Sequence, residues 1–156
     1  MLPPDLITEA RILSGCEVTS KKRLLESLGE LLADADTGLN ADAVFERLLE
    51  RERLGSTGLG HGIALPHARV DDVIAPIGAF IQLRAGVEFD AIDDRPVDLA
   101  FALLVPREAD ERHLQLLAGL AEMFNQMKLR QRLRDARSSS ELLATLASWG
   151  ANEDEP

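Results

Sequence analysis

Residues 51–69 of this chain combine histidine, arginine and glycine in a spacing that suits phosphoryl transfer. Two of the chain's three histidines and three arginines lie in this segment. His67 follows Pro66, whose ring fixes φ and makes the backbone approach to the imidazole rigid. A histidine is mostly neutral at pH 7, so one ring nitrogen is available as a nucleophile. Arg51, at the start of the segment, carries a guanidinium of the kind that grips phosphoryl oxygens in a bidentate manner.

Other features of this segment leave alternatives open. A histidine in a turn after a strand is often only a surface residue, but sites collect at strand ends in α/β sheets. The glycine-rich loop over residues 55–62 has no P-loop lysine and precedes a strand, which argues against nucleotide binding. We expect its glycines to permit tight turns or a close approach of the backbone to a partner or a phosphoryl group. Arg51 lies at a predicted helix C-terminus, where a cation is favoured in any case, and Arg53 and Arg69 are less well placed.

His113 is the second candidate, and its spacing places it at the edge of a buried helix face. It is predicted in the first turn of a long helix, with Leu116, Leu117 and Leu120 on the same side. The positive end of the helix dipole and partial burial both disfavour the imidazolium form. A neutral His113 is able to donate one N–H to a phosphoryl oxygen. From spacing alone, a histidine satisfied at the edge of the core is the alternative interpretation.

No metal or cofactor site is recognisable in the sequence. His61, His67 and His113 lack the cysteine or carboxylate at close spacing that zinc sites usually add. The chain has no G-x-S-x-G motif, which argues against a Ser-His-Asp hydrolase. We therefore expect no cofactor and no metal, and we expect His61 to be a bystander in the glycine loop.

Composition restricts the partners and the location of the protein. The formal net charge is −10. An acidic chain lacks the basic face that binding to nucleic acids or anionic membranes requires. The longest apolar run, residues 99–105, is far shorter than the roughly 18 residues of a membrane span. The N-terminus shows no signal-peptide pattern, and the single cysteine, Cys16, fits a reducing cytoplasm. We expect a cytoplasmic protein with neither nucleic-acid nor membrane partners.

Apolar periodicity predicts helices, then strands, then helices. Two helices are expected after the caps Ser20 and Asn40. Strands are expected at 63–65, 77–83 and 99–105, the last two covered on both faces, with a short, less buried strand around Val87 and Phe89. Further helices are expected from about 109, over about 128–136, and after the cap Ser139 or Ser140, with Trp149 facing inward.

This order of elements predicts an α/β fold. We expect a mixed sheet of about four to five strands sandwiched between helices. Residues 1–150 are expected to form a single domain. The acidic residues 151–156 are expected to form a disordered tail.

Several motifs resemble those of the type-2 IIA proteins of the bacterial phosphoenolpyruvate-dependent phosphotransferase system. This family includes fructose and mannitol IIA domains and a nitrogen-regulatory branch, to which the chain is most similar. The resemblance covers nearly the whole chain. The matching motifs are Ser20-Lys-Lys-Arg23, Arg51-Glu52, Gly55-Ser-Thr-Gly58, Gly60, Gly62-Ile-Ala-Leu-Pro-His67-Ala68, and most of 89–106. Ala68-Arg69 departs from the glycine and lysine of many members, although Arg69 keeps the charge.

The resemblance implies a function and assigns residues to it. His67 would accept a phosphoryl group from an HPr-like phosphocarrier (NPr), with His113 as the second active-site histidine and Arg51 as the active-site arginine. The protein would then regulate partners such as sensor kinases or potassium transport regulators. The alternative is a fructose- or mannitol-type sugar uptake component that passes phosphate to a IIB domain. The lack of a fused IIB-like or transmembrane domain favours regulation. A binding module that is never phosphorylated would require an inert His67.

Overall fold

The fold is a mixed β-sheet with helices on both faces. The computed structural model describes residues 2–34, 37–108 and 110–152, the last four by backbone alone. The helices are α1 (Lys21–Leu32), α2 (Ala41–Arg53), α3 (Glu111–Phe124), α4 (Met127–Asp135) and α5 (Ser139–Asn152). The strands are β1 (Ile12–Cys16), β2 (Gly58–Gly60), β3 (Ile63–Ala64), β4 (His67–Val70), β5 (Ile77–Val87) and β6 (Val97–Pro106). The expected fold class is confirmed, with six strands in the sheet.

Strand β6 lies at the centre of the sheet and pairs along both edges. On one edge it runs antiparallel to β5, with Phe80 opposite Phe101. On the other edge, first β3 and then β4 pair with it in parallel, and His67 lies opposite Leu103. Strand β1 adds to β5 in parallel, and β2 adds to β3 in the antiparallel direction. The strand that carries His67 is therefore held directly against the centre of the sheet.

Each face of the sheet buries its own apolar core, because alternate residues of a strand point to opposite faces. One core joins the sheet to leucines of α1 and α2. The other joins it to α3, α4 and α5 and contains Phe80, Phe101 and Phe124. The rings of Phe80 and Phe124 are stacked with centroids 6.2 Å apart. Residues 99–105 are all buried, so the expectation that this strand is covered on both faces is confirmed.

Polar caps set the beginnings of the helices. The Ser20 hydroxyl accepts the Arg23 N–H at 3.1 Å, and the Asn40 side chain accepts the Ala43 N–H at 2.9 Å. Both expected caps are therefore confirmed. Helix α5 is capped instead by Ser138, whose hydroxyl accepts the Glu141 N–H at 3.1 Å, so the choice of Ser139 or Ser140 was wrong by a residue. No helix in the described part of the chain is long and apolar enough to cross a membrane.

The strand predictions need three corrections. Val87 belongs to the end of β5, where it lies opposite Val97, so no separate strand forms around Val87 and Phe89. Phe89 is fully buried although it lies outside a strand. Strands β1, β2 and β4 were not predicted, because they are short or interrupted by glycine. Strands β1 and β4 also pair with strands that are distant in the sequence, β5 and β6.

Two further expectations fall at the limits of the described residues. Helix α5 continues through residues 151 and 152, which the sequence assigned to the tail. The remainder of that tail and the side chain of Trp149 lie outside the described residues.

Gln82 is the polar side chain that ties the sheet to the helices at one end. It is buried in β5, and its side-chain oxygen accepts the Gly15 N–H of β1 at 2.8 Å. Its side-chain nitrogen donates to the carbonyls of Leu133 and Ala136 at 2.7 and 2.8 Å. One amide therefore links two neighbouring strands to the end of α4, and each partner group is a buried or half-buried backbone group that needs a hydrogen bond.

We predict that Gln82→Leu lowers the free energy of unfolding by about 3 kcal/mol, because it leaves backbone donors and acceptors without partners. Urea unfolding followed by circular dichroism measures the change. The matched control is Gln115→Leu, since Gln115 is exposed on α3, and its effect should stay within about 0.5 kcal/mol. Equal unfolding midpoints for the two variants would contradict the role assigned to Gln82.

Candidate active site

His67 is the first residue of β4, and a single hydrogen bond determines which nitrogen of its ring carries the proton. Its Nδ1 lies 2.8 Å from the Leu65 carbonyl oxygen. A carbonyl oxygen only accepts hydrogen bonds, so Nδ1 carries the proton in the neutral ring. The lone pair is then on Nε2. The ring is half-buried, and it lines the cavity described below.

The surroundings of His67 favour its neutral form. Burial is the main reason why the pKa of His67 lies below its usual 6.5, and the nearby Arg51 guanidinium lowers the pKa further. The bond to the Leu65 carbonyl and the charge of Glu52 act in the opposite direction but do not outweigh burial. The unprotonated Nε2 is therefore available for nucleophilic attack at neutral pH.

A cavity of about 440 Å³ brings the three residues chosen from the sequence together. His67, Arg51 and His113 all line it, although they lie on β4, α2 and α3. Arg69 also lines it, whereas Arg53 and His61 are not among its lining residues. The structure therefore places the residues of the predicted site at one end of β6 and leaves His61 outside.

Arg51 lies in the last turn of α2, where it holds the glycine loop. Its Nη1 donates to the Gly55 carbonyl at 2.8 Å, and Gly55 adopts a φ of 153°, which favours glycine. That bond uses one of the five guanidinium N–H donors. Among the residues that the structure describes, no other hydrogen bond or ion pair occupies Arg51, so its remaining donors can bind oxygens in the cavity.

Glu52, the next residue of α2, anchors the same loop from within. Its carboxylate is buried and accepts the backbone N–H of Thr57 at 3.1 Å and the Thr57 hydroxyl. Lys21 at the start of α1 pairs with it at 3.1 Å and lies 4.5 Å from the Phe89 ring centroid. A buried carboxylate is tolerated only when its charge and lone pairs have such partners. This network fixes the end of α2, and with it the backbone of Arg51.

His113 occupies the third position of α3 and closes a capping box. The Asp110 backbone N–H donates to His113 Nδ1 at 3.1 Å, so the neutral ring carries its proton on Nε2. The Asp110 carboxylate oxygen lies farther from Nδ1, at 3.4 Å, and accepts the Arg112 N–H. The His113 side chain is 15% exposed. His113 is therefore satisfied at the core edge, as the alternative interpretation expected, and it also lines the cavity, which leaves its role as a donor to a phosphoryl oxygen a prediction.

The two histidines have complementary ring states. His67 keeps its proton on Nδ1 and presents a lone pair on Nε2, whereas His113 accepts through Nδ1 and has an N–H at Nε2. One ring is therefore suited to attack phosphorus, and the other is suited to donate to a phosphoryl oxygen.

Sequence reasoning missed the remaining wall of the cavity. Arg107 follows the last residue of β6 and is held by the Asp71 carboxylate, whose pKa is lowered mainly by that hydrogen bond. Its position directly after Pro106, at the end of a buried strand, was the available signal. The other residues missed are Arg47, Glu50, Leu54, Leu114 and Leu117. Four arginines and one glutamate give the cavity a positive charge in an acidic protein.

No group of three or more His, Cys, Asp and Glu side chains suited to a metal ion occurs among the residues the structure describes. The donors around the cavity are mainly guanidinium and imidazole groups. Such a set favours anionic oxygens over a cation.

The fold is that of a IIA-type domain of a phosphotransferase system. A family model described as "Phosphoenolpyruvate-dependent sugar phosphotransferase system, EIIA 2" matches residues 5–149, and the chain belongs to this family.

Its relatives include nitrogen-regulatory members. The chain is 45% identical over 138 residues to the nitrogen regulatory protein of Pseudomonas aeruginosa, covering 88% of this chain and 90% of the relative. It superimposes on the nitrogen regulatory protein IIA-Ntr of Neisseria meningitidis with a TM-score of 0.83 and 45% identity, covering 89% and 94% of the two chains. The resemblance to the nitrogen-regulatory branch that the sequence motifs indicated is confirmed.

A mannitol member is also similar in structure. This is the Escherichia coli enzyme IIAMTL, solved as a complex with phosphorylated enzyme IIBMTL. The TM-score is 0.76 at 26% identity, covering 91% of this chain and 97% of that one.

We predict that the His67 pKa, measured by ¹H–¹³C NMR titration of the ring, lies below 6.5. Between that pKa and 6.5, the unfolded state binds more protons than the folded state, so stability rises with pH through this window. The neutral ring, and with it any phosphoryl acceptance, persists as the pH falls to 6.5 and is lost only below the folded pKa. A measured value at or above 6.5 would contradict the assigned environment.

Arg51→Gln should raise the His67 pKa, because it removes a nearby positive charge that disfavours the imidazolium. Arg53→Gln is the matched control, since Arg53 is exposed on the same helix and does not line the cavity. Equal pKa changes in the two variants would show that Arg51 has no special relation to His67.

We predict that Glu52→Gln lowers the free energy of unfolding by about 2 kcal/mol, because it leaves Lys21 without its buried counter-charge while the solvent near Lys21 screens part of the loss. Thermal or urea unfolding measures the effect. Glu50→Gln is the control on the same helix, because the Glu50 pair with Arg47 is half exposed at 3.6 Å. Its effect should stay below about 0.5 kcal/mol, and a comparable loss from both changes would contradict the anchoring role of Glu52.

Proposed function

We propose that this protein is a phosphoryl-accepting regulatory IIA protein of the nitrogen-related phosphotransferase system. It accepts a phosphoryl group on His67 from an HPr-like phosphocarrier (NPr) in the cytoplasm and regulates partner proteins according to its phosphorylation state. Residues 1–150 act as one domain in this role. The observation that carries the proposal is His67 itself, with Nδ1 bound to the Leu65 carbonyl and a neutral ring lining a cationic cavity.

Phosphoryl transfer to His67 proceeds by in-line attack. The Nε2 lone pair forms the new bond to phosphorus while the bond from phosphorus to the donor imidazole breaks, and the electron pair of that bond returns to the donor ring. Positive charge develops on the His67 ring, and the Leu65 carbonyl stabilises it by accepting the Nδ1–H. No proton has to leave His67 during the step.

Arg51 and His113 stabilise the transferring group. The group carries negative charge on its equatorial oxygens, and donors already aimed at that charge lower the barrier. Arg51 supplies the guanidinium donors that its bond to Gly55 leaves unused. His113 supplies the Nε2–H that its capping-box bond selects.

The electrostatics of the cavity supply a physical basis for regulation. Phosphorylation adds close to two negative charges beside four arginines and one glutamate, so it removes most of the local positive charge. The exposed apolar side chains of Leu54 and Leu114 lie at the same cavity. A partner that docks here through acidic and apolar groups therefore loses affinity on phosphorylation. Sensor kinases and regulators of potassium transport are the partners that we propose.

Transfer to a IIB domain is the alternative, because the similar mannitol protein has been solved with its phosphorylated IIB partner. The same His67 chemistry would serve both roles. Incubation of the phosphorylated protein with fructose- and mannitol-type IIB domains distinguishes the regulatory role from the uptake role. Rapid loss of phosphate to a IIB domain would favour uptake, and retention would favour regulation.

We predict that His67→Ala abolishes phosphorylation by an HPr-like phosphocarrier. Intact-mass spectrometry measures the phosphorylation. His113→Glu keeps a capping-box acceptor but removes the N–H donor, so transfer should slow by about 10²-fold at nearly unchanged melting temperature. His113→Ala should slow transfer similarly and cost about 1 kcal/mol of stability through the lost cap.

His61→Ala is the control for these variants, because His61 does not line the cavity, and it should transfer at the wild-type rate. Equal phosphorylation of His67→Ala and wild type would remove the central assignment. A His113→Glu protein that transfers normally would reduce His113 to a capping residue.

A further inference from the structure

A second cationic cavity lies at the other end of β6. It measures about 510 Å³, and the residues that matter for its chemistry are His61, Arg95, Asp98, Arg130, Gln131 and Arg134. Asp98 is near the start of β6, whereas Val105 at its end lines the first cavity. At about 3.3 Å per strand residue, the two cavities are roughly 20 Å apart. We propose that this second cavity binds a small multivalent oxyanion, a metabolite bearing phosphate or several carboxylates.

Arg130 is the main observation behind this proposal. It is only 8% exposed, and one guanidinium nitrogen donates to the Phe124 carbonyl at the end of α3 at 3.0 Å. That bond uses one of five N–H donors, and no ion pair joins Arg130 to a carboxylate of the described residues. A buried cation without a counter-ion is costly. An anion in the cavity would supply the missing charge.

Arg134 and Asp98 form the rigid wall of the cavity. Two Arg134 nitrogens grip the Asp98 carboxylate at 2.9 Å each, and one of them donates to the His61 carbonyl at 2.6 Å. A Cβ at Gly62 would lie 2.4 Å from the Arg134 guanidinium and 2.7 Å from the Asp98 carboxylate, so a side chain at this position would displace the pair. The pair is neutral as a unit, and Asp98 is the sole carboxylate among the described lining residues. Arg95 and Arg130 therefore give the lining a positive charge, which the Asp93 carboxylate beside Arg95 offsets in part.

His61 is held at the edge of this cavity in an unusual conformation. Its φ is 57°, in the left-handed region that non-glycine residues seldom adopt. The Asp93 carboxylate accepts its N–H at 2.9 Å, and Arg134 binds its carbonyl. Backbone held in this way by its surroundings is typical of ligand-binding sites. The exposed imidazole is then available to an anion bound beside Arg95 and Arg130, which gives a role to a residue expected to be a bystander.

Titration of the full-length protein with inorganic pyrophosphate and, in a separate arm, with citrate tests the proposal. Ionic strength is held constant, and ¹H–¹⁵N NMR identifies the residues that respond. We expect saturable amide shifts at Gly62, Gly86 and Gln131. The ligand that saturates at the lower concentration identifies phosphate or polycarboxylate as the preferred class. No saturable shift at these residues below about 10 mM of either ligand, a very weak affinity, would overturn the proposal.

Variants separate this cavity from the one beside His67, which is also cationic. Arg95→Gln should weaken binding about tenfold, as expected for the loss of one charge-assisted contact. Arg130→Gln should weaken binding by at least as much. If the Arg130 variant does not fold, Arg95→Gln alone tests the proposal, because Arg95 is exposed. Arg53→Gln and His67→Ala should bind as the wild type does. Shifts confined to Arg51, His67 and Arg107, or binding unchanged by Arg95→Gln, would refute the second site without touching the phosphoryl-transfer proposal.

Discussion

The pairing of β6 along both edges is the constraint on which the rest of the structure depends. Residues 99–105 are buried on both faces, so their backbone groups have no access to water and must be paired within the sheet. Strand β5 satisfies one edge, while β3 and β4 share the other. Leu65 and Pro66 lie where the chain passes from β3 to β4. There the Leu65 carbonyl accepts the imidazole N–H of His67, so sheet formation itself sets the ring state of the candidate nucleophile.

Electrostatics act on this site at two scales. The protein as a whole carries a charge of −10, yet arginines from α2, β4 and the end of β6 converge on one cavity. Burial, aided by Arg51, lowers the pKa of His67 and keeps its ring neutral. The same positive charge that disfavours a protonated ring favours a transferring phosphoryl group. A local cationic cavity on an acidic protein also limits binding to partners with matching charge.

Short-range signals in the sequence predicted much of the fold. Ser20 and Asn40 were recognised as caps because a cap bonds to a residue three positions away, and the run 99–105 was recognised as a doubly covered strand because it has no polar face. The cap of α5 was assigned to the wrong serine, since three consecutive serines compete at 138–140. Strand β1 was missed because Ser14 and Gly15 interrupt its apolar pattern, and its pairing with β5 joins residues about seventy positions apart. Such pairing leaves no local trace.

The candidate site shows the same contrast between local signals in the sequence and contacts between distant elements. The spacing of residue types made His67, Arg51 and His113 candidates, and the motif resemblance then assigned His113 and Arg51 to the site. The sequence did not indicate that Arg107 and Arg47 complete the cavity. It also did not indicate that Gln82 and Glu52 form buried hydrogen-bond networks. These roles depend on which distant elements pack together, and β6 and α2 reach the site from separate parts of the chain.

The sequence by itself determined the helices, the two longest strands, the charge and the chemical types available at the site, because these follow from local periodicity and composition. Only the tertiary structure decided which nitrogen of each imidazole carries the proton. The Leu65 carbonyl selects Nδ1–H on His67, and the Asp110 N–H selects Nε2–H on His113. A side chain's proton position depends on the nearest donor or acceptor in space, and here the sheet and the first turn of α3 supply those neighbours.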